Sequence, residues 1–242
     1  MAFIRVVNDF GSVLIDDNYM NIRLASKGEL SLTRDDQGDH QDVSYTATHS
    51  SYPPLIALRC SSHRVTVVRT LRDGDTYTFR VGFMIGPDGT SPAIASGNFY
   101  IFDSAPTSIK RIGNLCLRNS TGNVVYDSGY DYLSVIEILS LPGFDNSQQE
   151  EIIKNYDSDK QYAVVTVSQG FYWSFESQYE DVANYYETDI TYMYSGVYFS
   201  GNIANFCGEV FQSQYFQTNS SQGSGRSTSG IGVYMVVDVT GL

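Results

Sequence analysis

The residues that come nearest to a catalytic pattern lie between positions 173 and 186. Glu176, Glu180 and Asp181 could supply the two carboxyl groups with which most glycosidases cleave a sugar bond. The same stretch contains four aromatic side chains that could stack against sugar rings, namely Trp173, Tyr179, Tyr185 and Tyr186. Acidic residues occur near aromatic residues throughout this region, so the pattern does not require an enzyme. We expect no catalytic site.

The three histidines give no recognisable motif. His40, His49 and His63 have no His partner four residues away, no adjacent Cys and no nearby Ser in a G-x-S-x-G turn. A zinc site or a hydrolase triad would have to be assembled from distant residues. We therefore expect surface or strand-edge histidines, no metal site and no cofactor.

Four aspartates lie close together around Gly38. Asp35, Asp36, Asp39 and Asp42 could bind Ca²⁺, but the D-x-D-x-D-G order of a calcium loop is missing. The pattern predicts a solvated acidic loop, with a bound Ca²⁺ as the alternative.

Aromatic residues are concentrated in the second half of the chain, between Phe171 and Phe216. Tyr and Trp provide a large contact area at low entropic cost, so this segment favours a binding surface. We expect a subunit interface there, with carbohydrate binding as the alternative. The candidate contact residues are Trp173, Tyr172, Tyr179, Tyr185, Tyr186, Tyr192, Tyr194 and Tyr198.

Composition restricts the possible partners. The chain has 242 residues, with 15 Lys plus Arg against 27 Asp plus Glu, and its net charge of −12 argues against nucleic acid as a partner. No apolar run approaches the roughly 20 residues that span a bilayer, and the N-terminus lacks a signal-peptide core, so we expect no membrane insertion. Three widely spaced cysteines, Cys60, Cys116 and Cys207, favour folding in a reducing cytoplasm.

One sequence element occurs twice, as NDFGSVLID from Asn8 to Asp16 and as NSTGNVVYD from Asn119 to Asp127. In each copy apolar residues alternate, four turn residues follow, and a second apolar run leaves the turn. This pattern predicts a β-hairpin. Asn at the first turn position can cap the turn, and Gly at the fourth accepts positive φ. We predict two equivalent hairpins, offset by 111 residues.

The remaining pattern is that of short alternating strands. It predicts one all-β domain over 1–242, an antiparallel β-sandwich built on the two hairpins, with repeated halves near 1–111 and 112–242. A capping box at Ser147 and Glu150 predicts one short helix from Gln148 to Asn155. The polar stretch Thr218 to Gly230 predicts a mobile hairpin tip or an inter-subunit arm.

The repeated element resembles one found in small tail-tip proteins of tailed bacteriophages. The resemblance is carried by Leu115 to Leu133, by Met1 to Asp16 and by the final strand Tyr234 to Leu242. It implies a virion structural protein of the tail tip or baseplate, made in the bacterial host cytoplasm, with neighbouring tail proteins as partners. It also implies a homo-oligomer with three-fold or six-fold symmetry, a trimer or a hexamer. The alternative is a receptor-binding module that recognises a host surface glycan through the aromatic segment.

Overall fold

The computed structural model describes residues 5–7, 13–16, 21–35, 38–84, 96–104, 113–119, 122, 124–144, 149–180, 185–228 and 230–242. Within these residues all regular elements are β-strands. Those of the first half are β1 (Arg5–Val7), β2 (Val13–Asp16), β3 (Ile22–Glu29), β4 (Thr33–Asp35), β5 (Gly38–Thr46), β6 (Leu55–Cys60), β7 (Val65–Asp73), β8 (Thr76–Phe83) and β9 (Gly97–Ser104). Those of the second half are β10 (Cys116–Arg118), β11 (Val124–Asp127), β12 (Ser134–Leu141), β13 (Ile152–Asn155), β14 (Tyr162–Ser168), β15 (Phe171–Glu180), β16 (Tyr185–Ser200), β17 (Ile203–Thr218), β18 (Ser224–Thr228) and β19 (Gly232–Asp238).

The strands form two large antiparallel sheets and two small ones. The six-stranded sheet has the order β12-β19-β14-β6-β9-β3, and the larger sheet has the order β13-β17-β16-β7-β8-β5-β4, with β15 and β18 added beside β16. The hairpins β1-β2 and β10-β11 are separate two-stranded sheets. Apolar faces of the two large sheets pack against each other. The predicted all-β, sandwich-like fold is thus confirmed, although the hairpins stand outside its two main sheets.

The two small hairpins have the same strand register. Arg5 pairs with Asp16 in the first, and Cys116 pairs with Asp127 in the second, and both have an irregularity one residue pair before the turn. In the second copy the amide of Gly122 donates to the Asn119 carbonyl at 3.0 Å, and Gly122 has φ of 87°. The predicted hairpin pairing is confirmed in both copies. The turn of the first copy lies outside the described residues.

The six-stranded sheet is symmetric about its centre. From either edge inward the order is β3, β9, β6 or β12, β19, β14, and the central strands β6 and β14 pair at Ala57 and Val165. The irregularity in β3 skips Ala25, and the one in β12 skips Ile136, which is the same 111-residue offset as in the hairpins. Strand order and register thus repeat beyond the hairpins.

The larger sheet repeats in the same way. β7 and β16 meet at its centre through Val65 and Val197, β8 and β17 follow each of them, and β5 and β13 come next. Among the described strands, β15 and β18 have no counterpart in the first half. The chain is therefore built from two copies of one β-unit related by an approximate two-fold axis, with two extra strands in the second copy.

Each copy has a core between its share of the two sheets. The core of the first copy includes Ile56, Leu58, Phe79, Phe83 and Ile101. The core of the second includes Val164, Phe199, Phe206, Tyr234 and Val236. Burial of these apolar side chains is the main force that holds each pair of sheets together.

A third core joins the two copies on the opposite face of the six-stranded sheet. It contains Ala57, Phe102, Val165 and Val237. The sheet curls around this core, and its two edges approach each other at one end. There the amide of Leu133, which directly precedes β12, donates to the carbonyl of Ile22 in β3 at 2.9 Å.

The predicted helix from Gln148 to Asn155 was wrong. Residues Ile152–Asn155 form strand β13, which pairs with β17 from Phe206 to Ile203, while Gln148 lies outside the described residues. Ile152 packs against the second core. A helix this short has little stability of its own, so pairing with an open sheet edge outweighs the local capping signal.

The prediction of an unanchored segment from Thr218 to Gly230 was also wrong over part of its length. Ser224–Thr228 forms β18, which pairs with β15 from Glu176 to Tyr172. The ring of Phe175 lies over Gly225, where an added Cβ would come within 2.6 Å of it. The segment lacks apolar residues but takes its order from backbone hydrogen bonds and from a ring on its neighbour.

The acidic stretch around Gly38 is a strand where a loop was predicted. Gly38–Asp42 belongs to β5, and Asp42 forms a bidentate pair with Arg80 at 2.9 Å. Asp36 lies outside the described residues. No group of three or more potential metal ligands occurs in the part of the chain that the structure describes. The described residues also include no helix long and apolar enough to cross a membrane.

The three cysteines are free, as their odd number requires for at least one. Cys60 is fully buried, whereas Cys116 and Cys207 are only partly buried. Cys60 alone therefore acts as a small core residue.

Candidate functional site

The extra strands of the second copy form a four-stranded extension, which we call the limb. It comprises β15, β18, residues 185–194 of β16 and residues 210–218 of β17. β16 and β17 are 16 residues long each, so they continue past the core that their other ends cover. Successive side chains of a strand point to opposite faces, so the limb has two distinct surfaces.

The outer face of the limb is aromatic. Cross-strand pairing places Phe171 beside Tyr194 and Trp173 beside Tyr192. The rings of Trp173 and Phe175 stack with centroids 5.4 Å apart and an interplanar angle of 11°. Such offset ring pairs add stability beyond the area that they bury. The result is a half-buried row of rings along β15 and β16.

The inner face of the limb is polar and acidic towards its tip. Glu187 accepts hydrogen bonds from the hydroxyls of Tyr185, at 3.1 Å, and Tyr215. Partial desolvation and the Glu187 carboxylate raise the pKa of Tyr185. The hydrogen bond to Glu187 is the main cause that raises the pKa of Tyr215. Both hydroxyls therefore stay protonated donors at neutral pH.

Tyr172, one of the predicted contact residues, is a core residue of the chain. It lies on the inner face at the base of the limb, where it is buried with Phe144 and Met193. Its ring centroid is 6.1 Å from that of Phe144. The even register position of Tyr172 on β15 turns it inward, whereas Phe171 and Trp173 point outward.

The described residues do not assemble the glycosidase arrangement. Glu176 and Glu180 share the inner face, whereas Trp173 and Tyr179 occupy the outer face, as the pairing of β15 with β16 fixes. Four residues along a strand span about 13 Å. Glycosidase carboxyl pairs are about 5–9.5 Å apart. Asp181 lies outside the described residues.

A groove of about 400 Å³ opens where the limb meets the first copy. It lies on the outer face, between β7-β8 of the first copy and β16-β17 of the second. Its lining combines aromatic rings, amides and two guanidinium groups: Val68, Arg69, Arg80, Tyr192, Tyr194, Phe211, Gln212 and Gln214.

Phe211 forms the floor of this groove because two glycines make room for its ring. A Cβ added at Gly38 would lie 2.9 Å from Phe211, and one at Gly82 would lie 2.8 Å from it. The ring of Tyr194 meets that of Phe211 edge to face at 5.5 Å. Burial raises the pKa of Tyr194, which keeps its hydroxyl neutral.

The groove is locally basic in a strongly acidic protein. Arg80 is neutralised by Asp42, and its guanidinium holds the pKa of that carboxyl below its usual range. Arg69 lies next to Arg80 across the β7-β8 pair and is exposed to solvent. A ligand in the groove would therefore meet one cationic group, two amides and three aromatic rings.

Arg64 fastens the base of the limb to the first copy. Its Nη2 lies 2.8 Å from Glu151 and also donates to Asn205, and its Nη1 pairs with Glu209. Its guanidinium also lies 5.3 Å from the ring centroid of Tyr198. The role of Arg64 in joining the two copies was not predicted, because a single Arg before a strand forms no recognisable sequence motif.

The other predicted contact residues are divided among three places. Tyr192 and Tyr194 line the groove, with Trp173 beside them on the outer face, and Tyr198 lies at the base. The rings of Tyr179 and Tyr186 lie near the tip, with centroids 5.0 Å apart and planes inclined by 52°. The structure thus gathers most of the predicted aromatic residues on one face.

The histidines lie in three separate places. His40 is on β5, where Nδ1 contacts the carbonyl oxygen of Gly38 at 2.9 Å. His49 packs edge to face against Tyr52, and His63 precedes β7. Strand-edge or surface positions were expected, but His40 is buried within its sheet.

Comparison of the chain with protein-family models, with curated proteins and with solved structures gives no match.

Proposed function

We propose that this protein is a structural component of a phage tail, at the tail tip or baseplate, and that it acts by associating with copies of itself and with neighbouring tail proteins. The resemblance of the repeated hairpin and the final strand to tail-tip proteins supports the setting. The exposed aromatic tip of the limb supports the association.

The observation that carries this proposal is the tip of the limb. Tyr179 and Phe216 on the outer face and Tyr215 on the inner face are exposed. Large apolar groups exposed together on a projecting element are typical of interaction sites. The limb has no counterpart in the first copy, so the shared fold does not require it. We infer that it serves contact with another protein.

Replacement of Tyr179, Tyr215 and Phe216 by Ser tests the proposal. We expect the variant to fold, because all three side chains are exposed, but to be lost from particles assembled in its presence. Incorporation is measured by the amount of the protein in purified virions relative to wild type. The matched control replaces the exposed Tyr52 and Leu71, away from the limb, by Ser. Equal incorporation of the limb variant and wild type would refute the proposal.

The groove favours a second candidate function, recognition of a host surface glycan. Saccharides stack their apolar faces on aromatic rings and bond their hydroxyls to amide and guanidinium groups, and the groove presents Tyr192, Phe211, Gln212, Gln214 and Arg69 together. A volume of about 400 Å³ lies within the range of small-ligand pockets.

Adsorption of the purified protein to host cells tests the glycan proposal. We expect Tyr192→Ala and Gln214→Ala to weaken adsorption, whereas Tyr52→Ala should not. Enzymatic removal of surface polysaccharide should abolish wild-type adsorption. If wild-type protein does not adsorb at all, the glycan proposal fails and the assembly proposal stands.

A further inference from the structure

The two copies of the β-unit end the six-stranded sheet with equivalent edge strands, β3 and β12. In β3, Lys27 lies opposite Tyr100, and in β12, Ile138 lies opposite Met235. Lys27 and Ile138 are related by the same 111-residue offset as the hairpins. The chain therefore contains two versions of one edge, and they can be compared directly.

The two edges differ in chemistry. β3 carries the exposed residues Lys27 and Glu29, the kind of charged residues that keep solvent-exposed sheet edges from pairing with other chains. β12 carries three apolar side chains that are exposed: Val135 by 47%, Ile136 by 42% and Ile138 by 65%. Among the described strands β12 pairs with β19 alone. One edge is protected against association, and the equivalent edge is not.

The single charged residue of β12 does not protect it. Glu137 is partly buried, and its Oε2 lies 3.3 Å from Nζ of Lys154 on β13. Its other oxygen accepts a hydrogen bond from the Tyr156 hydroxyl. The carboxylate is thus neutralised within the sandwich, so that two β12 edges would bring no unpaired like charges together.

The chain already pairs equivalent strands of its two copies. β6 meets β14 at Ala57 and Val165, and β7 meets β16 at Val65 and Val197, in both cases antiparallel about the approximate two-fold axis. Antiparallel pairing of identical strands about a two-fold axis is the isologous contact of a homodimer.

We propose that β12 is a self-association site, at which the β12 edges of two chains pair antiparallel about a two-fold axis and join two six-stranded sheets. This inference names one contact behind the self-association in the proposed function and rests on it. The partner is a second copy of this chain, since two such edges match in length, in apolar character and in absence of unpaired charge. Val135, Ile136 and Ile138 are buried in the contact.

The test compares Ile138→Lys, which gives β12 the residue type found at Lys27, with Leu71→Lys. Leu71 is an exposed apolar residue on β7, so the control makes the same chemical change away from β12. The mass of each full-length protein is measured by light scattering at several concentrations, and its circular dichroism is recorded to show that it is folded.

We expect Ile138→Lys to halve the assembled mass, as when a hexamer joined by β12 contacts separates into two trimers, and Leu71→Lys to leave the mass unchanged. Backbone amides of β12 should also exchange faster in Ile138→Lys than in wild type, with those of β3 unchanged. An oligomer whose mass and β12 exchange are unaffected by Ile138→Lys would overturn this inference but not the proposed function. A wild-type protein that stays at 26.9 kDa at all concentrations would overturn both self-association and this contact.

Discussion

Arg64 in the first copy of the β-unit forms an ion pair with Glu209 in the second copy. The Arg64 side chain is 9% exposed and that of Glu209 is 16% exposed, so the pair is largely removed from water. Removal of one partner from a buried ion pair leaves the other charge uncompensated, which costs more than the pair itself contributes.

Replacement of Arg64 by Met should therefore destabilise the protein strongly. We expect a loss of about 3–5 kcal/mol in the free energy of unfolding, measured with urea. Arg80→Met provides the control, because Arg80 pairs with a more exposed Asp42. Exposed pairs contribute about 0–1 kcal/mol. Similar losses in the two variants would contradict the role assigned to Arg64.

The floor of the groove gives a second prediction. A Cβ at Gly82 would lie 2.7 Å from Val68 and 2.8 Å from Phe211, so Gly82→Ala should displace the ring. We expect a loss of about 1–3 kcal/mol in the free energy of unfolding, as for other overpacked sites. Gly230→Ala is the control, since a Cβ there meets no atom within 4 Å. Equal free energies of unfolding for the two variants would contradict this prediction, because they would show that the Phe211 ring moves aside at no cost.

Tyr156 predicts a dependence of stability on alkaline pH. Burial and the hydrogen bond to Glu137 raise the pKa of the Tyr156 hydroxyl above the ordinary value of about 10. A raised pKa in the folded state stabilises it below pH 10, and this contribution is lost as the pH rises from 10 through the raised value. Tyr156→Phe should thus be less stable at pH 7 but lose less stability between pH 10 and 11.

Urea unfolding at a series of pH values measures this effect. Tyr52→Phe is the control, because its ring is exposed. A Tyr156→Phe curve parallel to that of wild type above pH 10 would contradict the assignment.

Because β18 is a paired strand, removing it should lower the melting temperature, whereas removing a free arm would leave the melting temperature unchanged. If residues 219–229 are replaced by an Asn-Gly turn, β15 loses its partner from Glu176 to Tyr172. We expect a lower melting temperature and a red shift of the Trp173 fluorescence, because Ser227 lies opposite Trp173 and would no longer shield it. Trp173 is the single Trp of the chain, so the emission reports on this site alone. Arg226→Gln, which retains the strand, should show neither change.

The hairpins could be predicted because their signal is local. Asn119 and Gly122 are three residues apart, and their turn requires only their own backbone preferences. Where a distant strand overrides a local signal, the prediction failed. At Ile152 the local capping signal gave a helix, but the partner that decides the outcome is Phe206 on β17.

The repeated halves were predicted from the hairpins and not from the other strands, because elsewhere the duplication is retained in strand order and not in side-chain identity. Gly97 and Gly232 begin equivalent strands, but Phe102 and Val237 differ at equivalent core positions. Core packing tolerates apolar substitutions that keep the overall volume, so few identities remain. The groove could not be predicted from the sequence either, because its lining combines Arg80 of one copy with Tyr192 of the other. The aromatic segment itself was predicted from composition, but which of its rings face outward was not.

The limb on one copy alone also determines how this protein can be arranged in a larger body. If the two β-units of the chain were identical, their two-fold axis would give the chain the same surface at both ends. A stack of such chains would have no defined direction. Because the second unit carries β15 and β18 and the first does not, the chain has two unlike ends. If the two-fold axis of the β12 contact runs along the particle, a particle built from such chains can distinguish its leading end from its trailing end at every subunit.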